Sequence, residues 1–466
     1  MKLLLQFISL ILIVGCSSKS LALSEYEGLY EYENDSTLMM VAGPKRKILY
    51  AVINQARYPL RPSGKDIFLN IGDVEVEFVR NPKQKIIGYR ENKKDNVDAN
   101  TIFSLLDSKV RLPPSIWVAK PKLAPSQYIY QAPEALNDGI PIRDLEVTAP
   151  LAKHLSLLTN AIYNEKYPYT QSVLLYQNGA LVYEEYFYEF DKERHHQLRS
   201  ATKTLIAILA GIAIDRKLIS SINAPVLPYF NEYKDLKNVD QRKRNLTIKD
   251  LLTMQSGFDC NDWEPESQGN ESKMIFSKDW ARFILDLPMT NKPGLVGSYC
   301  SGNVILMGRI IEKSSGKSLK EFANKFLFNR LGIDDYQWDF RPDSSNINNF
   351  VQAWMRPRDM MKIGILINNY GKYQELQIVS NEWISALMAP QSKINNTDYG
   401  YFFWERAIFP DGKQRVEIPQ MSGNGGQKVI LLKEHNAIVV LTGGNYNKSS
   451  YTNEILAYYI LKGLVQ

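Results

Sequence analysis

The segment "RSATKTLIAILAGIAID", residues 199–215, decides the fold and poses the chemical question of this sequence. Ser200 and Lys203 are three positions apart at the start of an almost wholly apolar run, so on a helix they share one face. A lysine beside a buried segment is costly unless its charge is used. Burial lowers the pKa of a lysine, and a neutral lysine can take the proton of a serine. We therefore predict an activated nucleophile, with an ordinary surface serine and lysine as the alternative.

Strand-like segments flank the helical ones from residue 146 to the end of the chain. The stretch at 172–187 predicts a hairpin around Asn178-Gly179, and the stretch at 428–444 predicts a second hairpin. Helical patterns lie between them, and an amphipathic helix closes the chain. This order predicts an α+β domain over 146–466, with one sheet built from both ends and a helical insertion.

Four segments resemble the serine β-lactamase/penicillin-binding-protein superfamily in its class C-like esterase branch. They are "RSATKTLIAILAGIAID" (199–215), "LTIKDLLTMQSGF" (246–258), "PGLVGSYCSGNVILMGRIIEKSSG" (293–316) and "SGNGGQKVILL" (422–432). The strings "YCSGN" and "GNGGQ" bring the chain nearest to the 6-aminohexanoate-dimer-hydrolase-like group. The resemblance implies a β-lactamase/transpeptidase-like fold, in which helices and a helical subdomain flank an antiparallel sheet.

The resemblance also implies roles for individual residues. Ser200 would be the nucleophile, Lys203 its base, and Tyr299 the group that hydrogen-bonds the serine and relays protons to the leaving group. The triplet Tyr299-Cys300-Ser301 stands where the family usually has Tyr-x-Asn. Ser301 can donate one hydrogen bond to a substrate but has less reach than asparagine. A tyrosine of the core is the alternative interpretation of Tyr299.

A third motif, Asn424-Gly425-Gly426, stands where the family has Lys-Thr-Gly or His-x-Gly. The glycines would let a strand approach the substrate closely, so all three residues are expected to bind it. By the family pattern, the backbone N–H groups of Ser200 and Gln427 would form the oxyanion hole. A glycine-rich turn is the alternative. Asn424 lacks the charge that would bind the carboxylate of a penicillin, which argues against β-lactams as the natural substrate.

The sequence therefore predicts a serine hydrolase that acts through an acyl-enzyme on an ester or amide bond of a small molecule or peptide. The alternatives are a D-Ala carboxypeptidase or β-lactamase of the same fold, and a catalytically idle binding lipoprotein. No spacing of ligand residues suggests a metal, and no cofactor is expected. The net charge of +6 is small and scattered, which gives no case for nucleic acid. We expect the four histidines, His154, His195, His196 and His435, to be structural.

The first residues resemble a bacterial lipoprotein signal. Lys2 precedes an apolar run at 3–14 that is too short to span a bilayer. Cys16 follows in a lipobox-like context, which implies a signal peptide over 1–15 and a lipid on Cys16. Ser17 favours the outer membrane over the inner one, so we expect a lipid-anchored protein on the periplasmic side of a bacterial envelope. An ordinary cleaved signal is the alternative.

Two further cysteines, Cys260 and Cys300, remain. An oxidising compartment would permit a disulfide between them. Two buried free thiols are the alternative, because sequence does not give the distance between their Cα atoms.

Short strand-like runs separated by turn residues fill residues 24–92. Their regular spacing predicts a small all-β barrel, similar to the lipocalin-like barrel attached to some hydrolases of this superfamily. Residues 93–145 carry many prolines and little periodicity, so we predict a linker that partly lies along the next domain.

Overall fold

The structure is a computed structural model. It describes residues 23–32, 36–43, 48–53, 56–70, 73–92, 101–109, 128–188, 190–343, 351–410 and 415–465. The expected signal peptide and lipidated Cys16 lie outside these residues, as do the stretches 93–100 and 110–127 of the expected linker. Across the described ranges, no helix has both the length and the apolar character needed to cross a membrane.

The first of two compact units is a closed barrel of eight strands in sequential order. The strands are β1 (Gly28–Tyr32), β2 (Ser36–Ala42), β3 (Leu49–Ile53), β4 (Ala56–Gly64), β5 (Ile67–Leu69), β6 (Glu75–Arg80), β7 (Ile86–Asn92) and β8 (Phe103–Asp107). Val76 and Phe78 alternate inward along β6, and Phe78 packs against Phe68 and Tyr26 with ring centroids 5.4 and 4.7 Å apart. These aromatic side chains fill the barrel.

The barrel extends beyond residue 92, the end expected from the sequence. Strand β8 lies within the range expected to be linker, and it pairs with β7 and β1 to close the barrel. Only five residues long, β8 has no fully buried residue, so it lacks the alternation that marks β6. Closure of the barrel, rather than local pattern, makes it a strand.

The second unit holds the large sheet and the helices. Its strands are β9 (Thr170–Gln177), β10 (Ala180–Tyr186), β11 (His196–Gln197), β12 (Tyr336–Gln337), β13 (Trp354–Met355), β14 (Lys372–Tyr373), β15 (Leu376–Gln377), β16 (Ser392–Ile394), β17 (Thr397–Tyr399), β18 (Trp404–Ile408), β19 (Val416–Gly423), β20 (Gln427–Leu432) and β21 (Ala437–Gly443). Eight of them form one antiparallel sheet in the order β10-β9-β21-β20-β19-β18-β17-β16. The hairpin at Asn178-Gly179 therefore joins the sheet beside strands from the other end of the chain, as predicted.

Helices cover both faces of this sheet. They are α1 (Pro150–Tyr163), α2 (Thr202–Asp215), α3 (Gln241–Arg244), α4 (Ile248–Leu252), α5 (Glu271–Met274), α6 (Trp280–Asp286), α7 (Ser301–Ser315), α8 (Leu319–Ala323), α9 (Pro357–Asn368), α10 (Asn381–Met388), α11 (Thr452–Ile455) and α12 (Leu461–Val465). α1 and the C-terminal helices pack on one face, while α2 and α9 belong to the larger core on the other. This is the predicted α+β fold.

The residues before α1 pack against strand β10 of the second unit. Tyr130 is buried there and donates a hydrogen bond to the Val182 carbonyl over 2.9 Å. Ile142 forms a β-bridge with Leu181 of β10.

Helix α2 lies inside the larger core. Every residue from Thr202 to Ala213 is buried, and Lys203 is the one charged side chain among them. Its apolar side chains explain why the sequence "TLIAILAGIA" folds as a buried helix. The first turn of α2 consequently presents Lys203 from a rigid element.

Candidate active site

The predicted nucleophile stands on a single turn of 3₁₀-helix, Arg199–Ala201, that leads directly into α2. The Lys203 Nζ donates a hydrogen bond to the Ser200 Oγ over 3.3 Å. Lys203 is only 6 % exposed, whereas Ser200 is partly accessible. The structure therefore brings these two predicted residues together and leaves the serine within reach of solvent.

The turn that carries Ser200 is backed by strand β19. Arg199 has a φ of 52°, a conformation that non-glycine residues rarely adopt, so the backbone just before the nucleophile is strained. The end of β19 approaches this turn so closely that a Cβ on Gly423 would lie 2.1 Å from the Leu198 carbonyl oxygen. Only glycine fits there. Sequence reasoning did not single out Gly423, although it directly precedes the predicted Asn424 motif.

Tyr299 lies beside the serine–lysine pair. Its ring centroid is 5.0 Å from the Lys203 Nζ, and it is 7 % exposed. Trp263 stacks on its ring with centroids 4.9 Å apart, and Trp404 stacks at 5.6 Å. These aromatic contacts hold the tyrosine in place next to the lysine, so the third predicted catalytic residue is also in the cluster.

A disulfide fixes the loop of Tyr299. Cys300 is bonded to Cys260 with their Cα atoms 5.4 Å apart, which settles the alternative that the sequence left open. Ser298 also donates a hydrogen bond to the Cys260 carbonyl over 2.6 Å. The disulfide links the segment before α7 to the loop that carries Trp263.

Two carboxylates that sequence reasoning missed lie behind Ser301. The Ser301 N–H donates to Asp262 over 2.7 Å, and the Ser301 hydroxyl donates to Glu271 over 2.9 Å. Ser301 is 2 % exposed and its hydroxyl hydrogen is already used. The expected hydrogen bond from Ser301 to a substrate is therefore not available in this arrangement. No motif marks Asp262 or Glu271, because tertiary folding alone brings their loop to the start of α7.

The groups around Lys203 raise its pKa, whereas the sequence analysis expected burial to lower it. Burial lowers the pKa of Lys203, as expected, but Tyr299, Glu271 and Asp262 together outweigh it and raise the pKa above its usual value. Burial and the neighbouring Glu271 raise the pKa of Asp262 to about 7. The pKa of Lys203 therefore lies above its usual value, contrary to the expectation from burial alone.

The residues of the third motif lie at the tip of the β19–β20 hairpin. The Asn424 side chain donates to the Asn447 side chain over 2.7 Å and accepts from the Asn447 N–H over 2.9 Å. Gly425 and Gly426 have φ angles of 92° and 104°, which favour glycine. The Gln427 side chain is buried against Gly443. Substrate contacts of the three motif residues, and the oxyanion hole of the Ser200 and Gln427 N–H groups, stay predictions.

Two of the four histidines, His195 and His196, contact residues other than Ser200 and Lys203. His196 is buried, stacks on Phe190 and bonds to Gln171 over 3.0 Å. Burial and two neighbouring charges lower its pKa to about 3. His195 contacts Asp335 over 3.1 Å.

The sequence of the second unit matches a known family. The model of the β-lactamase family matches residues 170–448, a range that contains Ser200, Lys203 and Tyr299. The chain belongs to the β-lactamase family. This is the superfamily that the four sequence segments resemble.

One curated relative is similar to this chain over part of its length. The 6-aminohexanoate-dimer hydrolase of Paenarthrobacter ureafaciens is 22 % identical over 262 residues, which are 52 % of this chain. The match spans only 62 % of that curated relative's length.

Two solved structures share the fold. A putative 6-aminohexanoate-dimer hydrolase from Bacillus anthracis superposes with a TM-score of 0.52 at 20 % identity, covering 63 % of this chain and 79 % of that one. A putative β-lactamase from Bacteroides dorei gives a TM-score of 0.54 at 16 % identity, covering 68 % of this chain and 100 % of that one.

Proposed function

We propose that the protein hydrolyses an ester or amide bond through an acyl-enzyme formed on Ser200. The observation that carries the proposal is the 3.3 Å contact between the Lys203 Nζ and the Ser200 Oγ, with Tyr299 packed against the lysine. A serine needs an adjacent base to act as a nucleophile near neutral pH. Among the described residues, no side chain other than Lys203 hydrogen-bonds to the Ser200 hydroxyl.

In the acylation step, the Ser200 Oγ attacks the carbonyl carbon while its proton passes to a neutral Lys203. The carbonyl π electrons move to oxygen, and backbone N–H groups at the Ser200 turn and the β19–β20 hairpin would stabilise the resulting anion. Collapse of this intermediate expels the alcohol or amine, which takes a proton relayed through Lys203 and Tyr299. Water then attacks the acyl-enzyme by the same route, releases the acid and restores Ser200.

The raised pKa of Lys203 gives this scheme a definite pH dependence. Because the base is the neutral lysine, acylation should become faster as pH rises through the neutral and mildly alkaline range. The carboxylates behind Ser301 hold the proton on the lysine, so they set where that rise begins.

The name of the curated relative indicates which substrates to test first. The curated relative is named for the dimer of 6-aminohexanoate, which is joined by an amide. We infer that esters and short linear amides are the first substrates to screen.

Rapid mixing with a neutral activated ester tests the proposal. Para-nitrophenyl acetate should release a burst of nitrophenolate of about one equivalent, followed by slower turnover, if deacylation is limiting. Mass spectrometry of the quenched mixture should place the acetyl group on Ser200. Matched samples of Ser200→Ala should give neither burst nor adduct, and turnover retained by that variant would contradict the proposal.

A further inference from the structure

One tryptophan of the second unit is exposed beside the catalytic cluster. Trp263 is 46 % exposed, whereas the two rings on which it stacks, Tyr299 and Trp404, are 7 % and 4 % exposed. The other tryptophans that the structure describes are buried or half-buried. Exposure of a large aromatic side chain to water is unfavourable, because the burial of apolar surface is what stabilises a folded protein. The open part of Trp263 is therefore a surface that a ligand would cover favourably.

This surface is continuous with the reacting groups. The plane of the Trp263 ring makes an angle of 11° with Tyr299 and of 17° with Trp404. On the inner side of the stack, the Lys203 Nζ lies 5.0 Å from the centroid of the Tyr299 ring and donates a hydrogen bond to Ser200. Aromatic surface thus runs from the catalytic tyrosine outward to solvent.

The loop of Trp263 is held in place on both sides of the indole. Asn270 is buried, and its side-chain amide donates to the carbonyls of Asn261 and Glu264 over 3.1 Å each. The Trp263 N–H donates to the Asn261 side chain over 3.0 Å. The disulfide at Cys260 holds the start of the same loop. The indole is consequently presented on an ordered backbone, which reduces the conformational entropy lost when a ligand covers it.

The position of Tyr299 indicates which half of a substrate reaches Trp263. In the proposed reaction, Tyr299 passes a proton to the departing alcohol or amine, so the leaving atom lies at the tyrosine hydroxyl. The two ring centroids are 4.9 Å apart, which puts that hydroxyl close to the indole. A substituent on the leaving atom therefore borders Trp263, whereas the acyl carbon is bonded to Ser200.

We propose that Trp263 binds the leaving group of the substrate, and that the enzyme selects esters or amides of apolar alcohols or amines, aromatic ones above all. This names a substrate class for the proposed function and rests on it. A flat ring stacks on the exposed indole in the geometry that aromatic pairs favour. The open face of Trp263 is then covered only while substrate is bound.

Two pairs of esters test this specificity. Benzyl acetate and methyl acetate have leaving alcohols of similar acidity, so they differ mainly in the apolar ring. Wild-type kcat/KM should be about 10- to 100-fold higher for benzyl acetate, as expected when a large apolar group is removed from water. Methyl phenylacetate against methyl acetate places the same ring on the acyl side, where the ratio should not depend on Trp263.

Variants connect the preference to the indole. Trp263→Ala should lower the benzyl-to-methyl ratio of kcat/KM towards one, and Trp263→Phe should keep part of it. Phe409→Ala removes an aromatic side chain that is 52 % exposed at the opposite end of β18 from Trp404, and it should leave the ratio unchanged. A variant that merely loosens the stack on Tyr299 would slow both acetates alike. The ratio therefore separates leaving-group binding from a structural role.

Interception of the acyl-enzyme tests the same site with a single ester. By microscopic reversibility, a site that binds the leaving alcohol also binds an alcohol that attacks the acyl-enzyme. In that attack the alcohol oxygen bonds to the acetyl carbon, the bond to the Ser200 Oγ breaks, and the alcohol proton returns to Ser200 through Tyr299 and Lys203. With para-nitrophenyl acetate as the donor, benzyl alcohol should trap more acetyl groups than methanol at equal concentration. Trp263→Ala should remove this difference.

The outcomes separate the two proposals. Hydrolysis of both acetates without a benzyl preference would overturn the leaving-group site and keep the serine hydrolase. A preference that Trp263→Ala retains would also overturn the site, as would a Trp263-dependent preference confined to methyl phenylacetate. Failure to hydrolyse any ester would instead contradict the proposed function, and the leaving-group site with it.

Discussion

In the part of the chain that the structure describes, two lysine side chains hydrogen-bond to serine hydroxyls, and their electrostatic surroundings are opposite. Ser200 and Lys203 share one helical turn, and Glu271 and Asp262 help to raise the pKa of that lysine. Ser422 and Lys428 face each other across two strands, and burial beside a cation lowers the pKa of Lys428 to about 7. Contact between a serine and a lysine is thus not enough to define a nucleophile.

The difference lies in what surrounds each pair. In the first pair, the Tyr299 ring packs against the lysine, and the Cys260–Cys300 disulfide holds the residue next to Tyr299. The residue before the serine, Arg199, has a strained backbone conformation. The second has a cation and a polar pocket. The surroundings of the first pair fit the proton transfers proposed for acylation, whereas the second pair lies beside the cation Arg406. We therefore propose Ser200, and not Ser422, as the nucleophile.

Equivalent substitutions at the two lysines give the largest expected contrast. Lys203→Met should lower the hydrolysis of a neutral ester by roughly 10²- to 10⁴-fold, because it removes the base. Lys428→Met should lower it by less than about tenfold, since the Lys428 Nζ hydrogen-bonds to Ser422 rather than to Ser200. Steady-state kinetics with para-nitrophenyl acetate measures both. Equal losses in the two variants would erase the distinction drawn between the pairs.

Breaking the disulfide should slow the reaction at the first pair. Cys260 and Cys300 are 40 positions apart, a loop whose closure is worth about 4 kcal/mol on the chain-entropy model. The Cys260→Ser/Cys300→Ser variant should therefore unfold at a lower temperature and hydrolyse neutral esters more slowly, because the loop of Tyr299 is released. Unchanged turnover of neutral esters by the double variant would contradict the role given to the loop of Tyr299.

Removing one carboxylate near Lys203 should shift the pH profile. For the wild type, kcat/KM should rise with pH by up to tenfold per unit, because the neutral fraction of a lysine grows in that way below its pKa. Glu271→Gln removes a charge that raises the pKa of Lys203, so the rise should begin about one pH unit lower. Glutamine can still accept the hydrogen bond from Ser301.

Glu264→Gln makes the same change at an exposed position of the same loop and serves as its control. A profile that moves equally in both variants would mean that Glu271 does not act on Lys203.

The sequence predicted the features that depend on local spacing. Three-residue spacing on a helix puts Ser200 next to Lys203, and the family motif places Tyr299 beside them. The alternation of β6 and its neighbours indicated the barrel. The last strand, β8, has no such alternation, so only the closed sheet reveals it.

Features that depend on the meeting of distant segments could not be predicted. Burial alone suggested a lowered pKa for Lys203, but the loop of Asp262 and Glu271 comes to the site through the tertiary fold. Ser301 was expected to face the substrate, and the same loop takes up its hydrogen bonds. Lys428 hydrogen-bonds to Ser422 on the adjacent strand. Its lowered pKa comes from burial and from Arg406 on β18, two strands away in the sheet.

The most direct test is the intact mass of the protein after treatment with a neutral fluorophosphonate, followed by peptide mapping. We expect one adduct per chain, located on Ser200, with no adduct on Ser200→Ala and a normal adduct on Ser422→Ala. An adduct on Ser422, or none on the folded wild type, would contradict the assignment of catalysis to the helical pair.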